Sequence, residues 1–162
     1  MFYHVQTHED IPVQDAVHFR QTVHQTLQDP RGWGKPFYEV PLETLLEMPK
    51  SSVFIIRLTP AHVMNEMYEH FKEKQLSVAN MRERTIDINW CRWTENCPNM
   101  SQLPLEQYRQ YVILHEVGHM MGKKHPTTVV PQTQAPVMMQ QTLGIQHHQP
   151  NPWPTDYDKK VL

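Results

Sequence analysis

His115, Glu116, His119, Gly122 and His125 stand in the order HExxHxxGxxH. In a helix, residues four apart sit one turn above each other. His115 and His119 therefore point the same way and can place two ring nitrogens on one zinc ion at about 2.0–2.1 Å. Glu116 is offset by about 100° from His115, which sets its carboxylate beside the metal, within reach of a metal-bound water and in the place of a general base. Gly122, without a Cβ, can take the left-handed conformation that ends the helix and lets His125 swing up as third ligand. Three neutral imidazoles leave a fourth position open, which distinguishes a catalytic zinc site from a structural one. A lone buried His is more often a satisfied core residue, and a bare HExxH recurs by chance. The longer pattern is rarer: the chain's own frequencies of His, Glu and Gly give a chance match on the order of 10^-4.

The elements that must hold these residues follow from periodicity. Residues 105–121, preceded by Pro104, carry Leu105, Tyr108, Val112, His115 and His119 on one face and Ile113, Leu114, Val117, Met120 and Met121 elsewhere. Apolar groups nearly all round predict a helix buried inside the domain. Before it, residues 2–7 alternate as a short strand, and Pro12 opens a helix with Val13, Val17, Phe19, Val23 and Leu27. Asp29, Pro30, Arg31 and Gly32 stop that helix. Residues 35–40 form a possible second strand, and residues 52–58 are the best strand candidate. Pro60 opens another helix with Val63, Met67, Tyr68 and Phe71, up to about Lys74. Ile86, Ile88 and Trp90 then alternate through residues 84–93 as a half-buried strand. The predicted order is βαββαβ. After Gly122 six of the 14 prolines crowd a stretch without period, so the second half is rich in loops, as functional loops are.

A chain of 162 residues fits one domain with one core. Its 15 basic and 17 acidic side chains are interspersed, with no run of five like charges, which argues against a nucleic-acid partner. No apolar stretch approaches the roughly 18 residues of a membrane span. The first ten residues lack a basic start and an apolar segment. A cytoplasmic protein is expected, or an exported one whose signal was removed. Cys91 and Cys97 are either two free thiols or a small-loop disulfide. Most of the eight histidines outside the motif read as surface residues.

The motif residues resemble the metzincin clan of zinc peptidases, whose members share HExxHxxGxxH and a downstream tight turn that carries Met beneath the metal. Ala135-Pro136-Val137-Met138-Met139-Gln140 is similar to that turn, with Met138 under the ligands and Met139 as the other possibility. Some members follow this Met by two with a ligating Tyr; Gln140 stands there, so no fifth protein ligand is expected. A closer similarity covers nearly the whole chain. Leu27-Gln28-Asp29-Pro30-Arg31-Gly32-Trp33, Ile86-Asp87-Ile88-Asn89, the histidine motif, Ala135-Pro136-Val137-Met138, Gln140-Gln141-Thr142-Leu143-Gly144 and Asn151-Pro152-Trp153-Pro154 look like an uncharacterised, mainly actinobacterial, metzincin-like family.

The resemblance implies an α+β fold: one metzincin-like (zincin) catalytic domain with a twisted mixed sheet, a buried active-site helix and a loop-rich second half. Residues 1–122 would form its first subdomain, with the active-site helix at about 105–122, and residues 123–162 a second with the Met-turn. It implies a monomeric endopeptidase that binds Zn2+ through His115, His119 and His125 and cleaves peptide or protein substrates with a zinc-bound water activated by Glu116. Substrates in the clan lie along an edge strand, for which residues 84–93 are the candidate. Residues 126–140 would wall the pocket after the scissile bond, with Thr127, Thr128, Val129 and Val130 as lining. His147, His148 and Tyr157 are expected near the cleft or in solvent. Two alternatives need the same ligands: an inactive zinc-binding relative, and a zinc hydrolase of a non-protein amide or ester. Activity is expected to fall below about pH 6 as protons compete for the ligands and Glu116.

Overall fold

The computed structural model describes residues 1–71 and 73–160, with Phe71 described by its backbone alone. Five strands form one mixed sheet: β1 (Phe2–Thr7), β2 (Tyr38–Glu39), β3 (Val53–Thr59), β4 (Val78–Asn80) and β5 (Thr85–Asn89). Their spatial order is β2-β1-β3-β5-β4. β1, β2, β3 and β5 run parallel, and β4 returns antiparallel along the edge of β5. Six helices accompany them: α1 (Val13–Gln28), α2 (Leu42–Glu47), α3 (Ala61–Met67), α4 (Trp90–Thr94), α5 (Leu105–Met120) and α6 (Asp156–Lys160). None is long and apolar enough to cross a membrane. The architecture is α+β, as expected.

Alternation along the strands decides which face is the core. Phe54, Ile56 and Leu58 of β3 and Ile86 and Ile88 of β5 are fully buried, and α1 and α5 supply Phe19, Val23, Leu27, Ile113, Leu114 and Val117 to the same cluster. The opposite face carries a polar knot. Asp87 accepts two bonds from Arg57 at 2.8 Å, one from Thr59 Oγ1 at 3.0 Å and one from Tyr68 Oη at 2.6 Å. Burial of that carboxylate is tolerated because every lone-pair direction is satisfied.

Several expectations need correction. In α1 the buried stripe is Phe19, Thr22, Val23, Thr26 and Leu27, while Val13 and Val17 face solvent. The second strand shrinks from residues 35–40 to Tyr38–Glu39. The helix after Pro60 ends at Met67, because the Tyr68 hydroxyl is drawn to Asp87. Lys72 and the side chain of Phe71, counted in that helix, lie outside the described residues. Residues 84–93 are not one strand: Asn89 caps a new helix by accepting from Cys91 N at 3.1 Å, so Trp90 and Trp93 belong to α4. Nor are they the edge. That place belongs to β4, reached by a hairpin in which Asn80 Oδ1 accepts from Glu83 N at 3.1 Å and Arg84 takes φ 59°. Cys91 and Cys97 are free thiols.

Candidate metal centre

Helix α5 is buried at Tyr108, continuously from Tyr111 to Gly118, and at Met120, as apolar groups on all sides require. Beyond it Gly122 adopts φ 85°. Its N–H donates to His119 O at 2.9 Å, and Lys123 N–H donates to Gly118 O at 2.9 Å. This pair of bonds is the Schellman stop, and a glycine is what makes it inexpensive. The reversed chain carries His125 back over the helix.

The three histidines converge. His115 Nε2 lies 3.2 Å from His125 Nε2, which lies 3.0 Å from His119 Nε2. His115 Nδ1 donates to Val137 O at 2.7 Å and His119 Nδ1 to Lys123 O at 2.9 Å. A carbonyl can only accept, so both rings carry their proton on Nδ1 and turn an Nε2 lone pair toward the common centre. Lone pairs aimed at each other repel unless a cation lies between them. Nitrogens held about 2.0–2.1 Å from a tetrahedral zinc are about 3.3 Å apart, near the spacings seen. The cluster therefore fits a metal ion held by His115, His119 and His125. Burial, reinforced by the neighbouring imidazoles, lowers His115 to about 3 and His125 to about 4, and burial lowers His119 as well. The rings are thus already neutral, the form a metal needs.

Beneath the cluster lies the segment around Met138. A Cβ on Gly118 would collide with Met138 Sδ and stand 2.8 Å from Trp33 Cζ2, so glycine is needed for the Met and Trp side chains to seat against the helix between the two ligands. Trp33 also donates Nε1–H to Leu114 O at 3.0 Å. Met138, 2% exposed, is the residue that contacts the helix. Met139 instead offers its carbonyl to the Tyr111 hydroxyl at 2.9 Å. The backbone here is clamped by Asp158, whose carboxylate accepts from Val137 N at 2.9 Å, Met138 N at 3.0 Å, Thr155 N at 2.8 Å and Thr155 Oγ1 at 2.8 Å. Because Val137 O accepts from His115 Nδ1, Asp158 acts on the His115 ring through one peptide unit.

Glu116 is 7% exposed and lines a cavity of about 410 Å³ together with His115, His119 and His125. Burial raises its carboxyl to about 8, opposed by a hydrogen bond from the Ala79 backbone of β4. The cavity runs along α5 past Val112 and Tyr111 to Tyr108, with Val78 and Ala79 of the edge strand as its other wall and Gln140 and Thr142 at its margin. Thr127, Thr128, Val129 and Val130 do not line it; they border a smaller hollow with His148. His147, His148 and Tyr157 are likewise absent from its walls. His148 is buried, with Nδ1 bonded to Gln132 O at 2.8 Å.

A family model described as a protein of unknown function, DUF3152, matches residues 3–160. The chain belongs to this family. No curated protein and no solved structure matches it. Several of the sequence segments singled out above meet one another near α5. Trp33 and Met138 press on Gly118, and Arg31 stacks over Trp153 at 4.1 Å. Gln141 and Asn151 are joined by a 2.9 Å bond and tie down the carbonyls of Pro136 and Ala135, at 3.1 and 3.0 Å. Sequence reasoning missed Asp158, the function of Trp33 and the edge strand β4. The weak signal for β4 was the Asn80 turn; nothing local distinguishes Asp158 from a surface acid.

Proposed function

We propose that this DUF3152 protein is a metzincin-like zinc hydrolase, a single catalytic domain that cleaves peptide bonds. The observation that carries the reading is the convergence of three Nε2 atoms at 3.0 and 3.2 Å in the wall of a cavity that the buried Glu116 also lines. His115, His119 and His125 would hold the metal, with the first two rings fixed by their Nδ1 donations. Zinc, when bound, supplies a Lewis acid and brings the pKa of a water from 15.7 toward about 7. Glu116, held neutral by burial in the metal-free chain, would lose its proton beside a bound cation and would then take the proton of the attacking water and hand it to the leaving amine nitrogen. Its burial removes competing solvent, and the Ala79 N–H orients it. An extended substrate pairs its main chain with the free edge of β4 and places the side chain after the scissile bond in the cavity along α5.

The test is a cleavage screen with a proteome-derived peptide library. Chelator-sensitive cleavage, restored by zinc, is the expected result. Zinc bound at one per chain with no cleaved peptide would refute the peptidase reading, and turnover of a non-protein amide or ester would then reassign the substrate.

A further inference from the structure

Arg92 is a cation that the proposed chemistry does not use. It stands on α4, a short helix fixed by its neighbour Trp93, which is 2% exposed and packs edge-on against Phe19 at 4.9 Å. The Arg92 side chain lines the same cavity as the three histidines. Its Nε is buried with no hydrogen-bond partner, and Nη2 makes a long 3.4 Å contact to Lys74 O. Arg57 and Arg109, by contrast, each reach a carboxylate. A buried guanidinium N–H left unpaired is uncommon, since the cost of desolvating it goes uncompensated.

The charges around this cavity are lopsided. Arg92, Lys123 and Lys124 line it against one acid, Glu116, in a chain whose net charge is -2. Lys123 is partly engaged, donating to Lys159 O at 3.3 Å. Arg92 and Tyr108 both line the cavity, and the Arg92 charge acts on the Tyr108 hydroxyl. Tyr108 precedes His115 by seven helical residues, about 10 Å at 1.5 Å per residue. Since one extended residue advances at most about 3.6 Å, the guanidinium is too far to meet the residue under attack. The next residue starts one such step along, and a Glu side chain projecting from it plus one hydrogen bond of about 2.9 Å spans the remaining roughly 6 Å. Val112, Tyr111 and Val78 give the cavity apolar walls, and a pair less hydrated there makes a stronger charge-assisted bond.

We propose that Arg92 makes the cavity a carboxylate receptor, so that the preferred substrates carry Asp or Glu immediately after the scissile bond. This rests on the hydrolase reading, in that the cavity receives the substrate's leaving side. Calorimetry on the zinc-loaded protein tests it with two short peptide amides that mimic that side, one beginning with Glu and the other with Gln. The Glu peptide should bind about tenfold tighter or more, the preference should vanish in Arg92→Gln and survive in part in Arg92→Lys, and added salt should weaken it. Equal affinities in the wild type, absence of binding by both peptides, or a preference that persists in Arg92→Gln would overturn the proposal. The wild-type comparison needs no variant to fold. Cleavage of matched peptides separates the two readings. Acid-selective binding without cleavage keeps the receptor and removes the hydrolase, whereas cleavage indifferent to Asp or Glu keeps the hydrolase and removes the receptor.

Discussion

Two stretches of chain meet at the histidines, and different physics holds each in place. The ligands on α5 are positioned by regular backbone: once the helix is buried, the spacing of His115 and His119 follows from 3.6 residues per turn. The stretch from Gly122 to α6 has little regular structure, and single side-chain bonds do the work there. Asp158 clamps two N–H groups of the Met138 turn, Gln141 and Asn151 tie three strands of irregular chain together, and Gly122 sets the reversal. A helix distributes its stability over many equivalent bonds. An irregular segment concentrates it in a few, so single substitutions there should be more damaging to the metal centre than most substitutions along the helix.

The largest effect is expected from Asp158→Ala. It strands the N–H groups of Val137, Met138 and Thr155, at about 1–3 kcal/mol for each buried one. Urea unfolding should register a loss of about 3 kcal/mol or more, and zinc affinity should drop with it because Val137 O orients His115. A neutral result would mean that the irregular half is not clamped as described.

Next comes Glu116, read in protein stripped of metal. Its carboxyl, raised from 4.5 to about 8, keeps its proton in the folded chain while the unfolded chain has lost its own. Stability must therefore fall as pH rises from about 4.5 to about 8. His115 and His125, lowered from 6.5 to about 3 and 4, act oppositely: the unfolded chain binds protons that the fold refuses, so stability falls as pH drops below about 6.5. The stripped protein should be most stable near pH 6. Glu116→Gln should remove the alkaline decline, on the order of a few kcal/mol, and leave the acid one. An unchanged alkaline limb in thermal melts would contradict the burial of Glu116. Zinc retention should likewise persist below pH 6, the limit expected from unperturbed histidines, and fail nearer pH 4.

On the helix, Gly118→Ala offers a test by sign. Helix propensity alone favours Ala by about 1 kcal/mol, whereas the collision with Met138 and Trp33 costs about 1–3 kcal/mol. Net destabilisation is expected; a gain would mean that the Met turn yields easily. Gly122→Ala is expected to cost at least as much. With nothing within 4 Å of a new Cβ, only the left-handed φ is penalised, at about 1–2 kcal/mol.

The same division explains what could be read in advance. The convergence of His115, His119 and His125, the Gly122 reversal and the buried helix follow from local spacing, and β1, β3 and α1 follow from periodicity and from Pro12 and the β-branched run. Most of the misplaced pieces depend on distant partners. The strand at residues 84–93 breaks because Asn89 caps α4, a local cue outweighed by the alternation of Ile86, Ile88 and Trp90. β4 is three residues long and becomes a strand by pairing with β5. Asp158 and Arg92 owe their roles to groups at least 16 residues away, from the Arg92 and Tyr108 pair upward, which no short window reveals.

The most direct test of the metal centre and its base is zinc content measured in parallel with peptide hydrolysis in the wild type and Glu116→Gln. One zinc per chain in both proteins, with hydrolysis in the wild type alone, is the predicted result. Loss of zinc in Glu116→Gln, or hydrolysis that survives the substitution, would contradict the assignment of Glu116 as a base that is not a ligand.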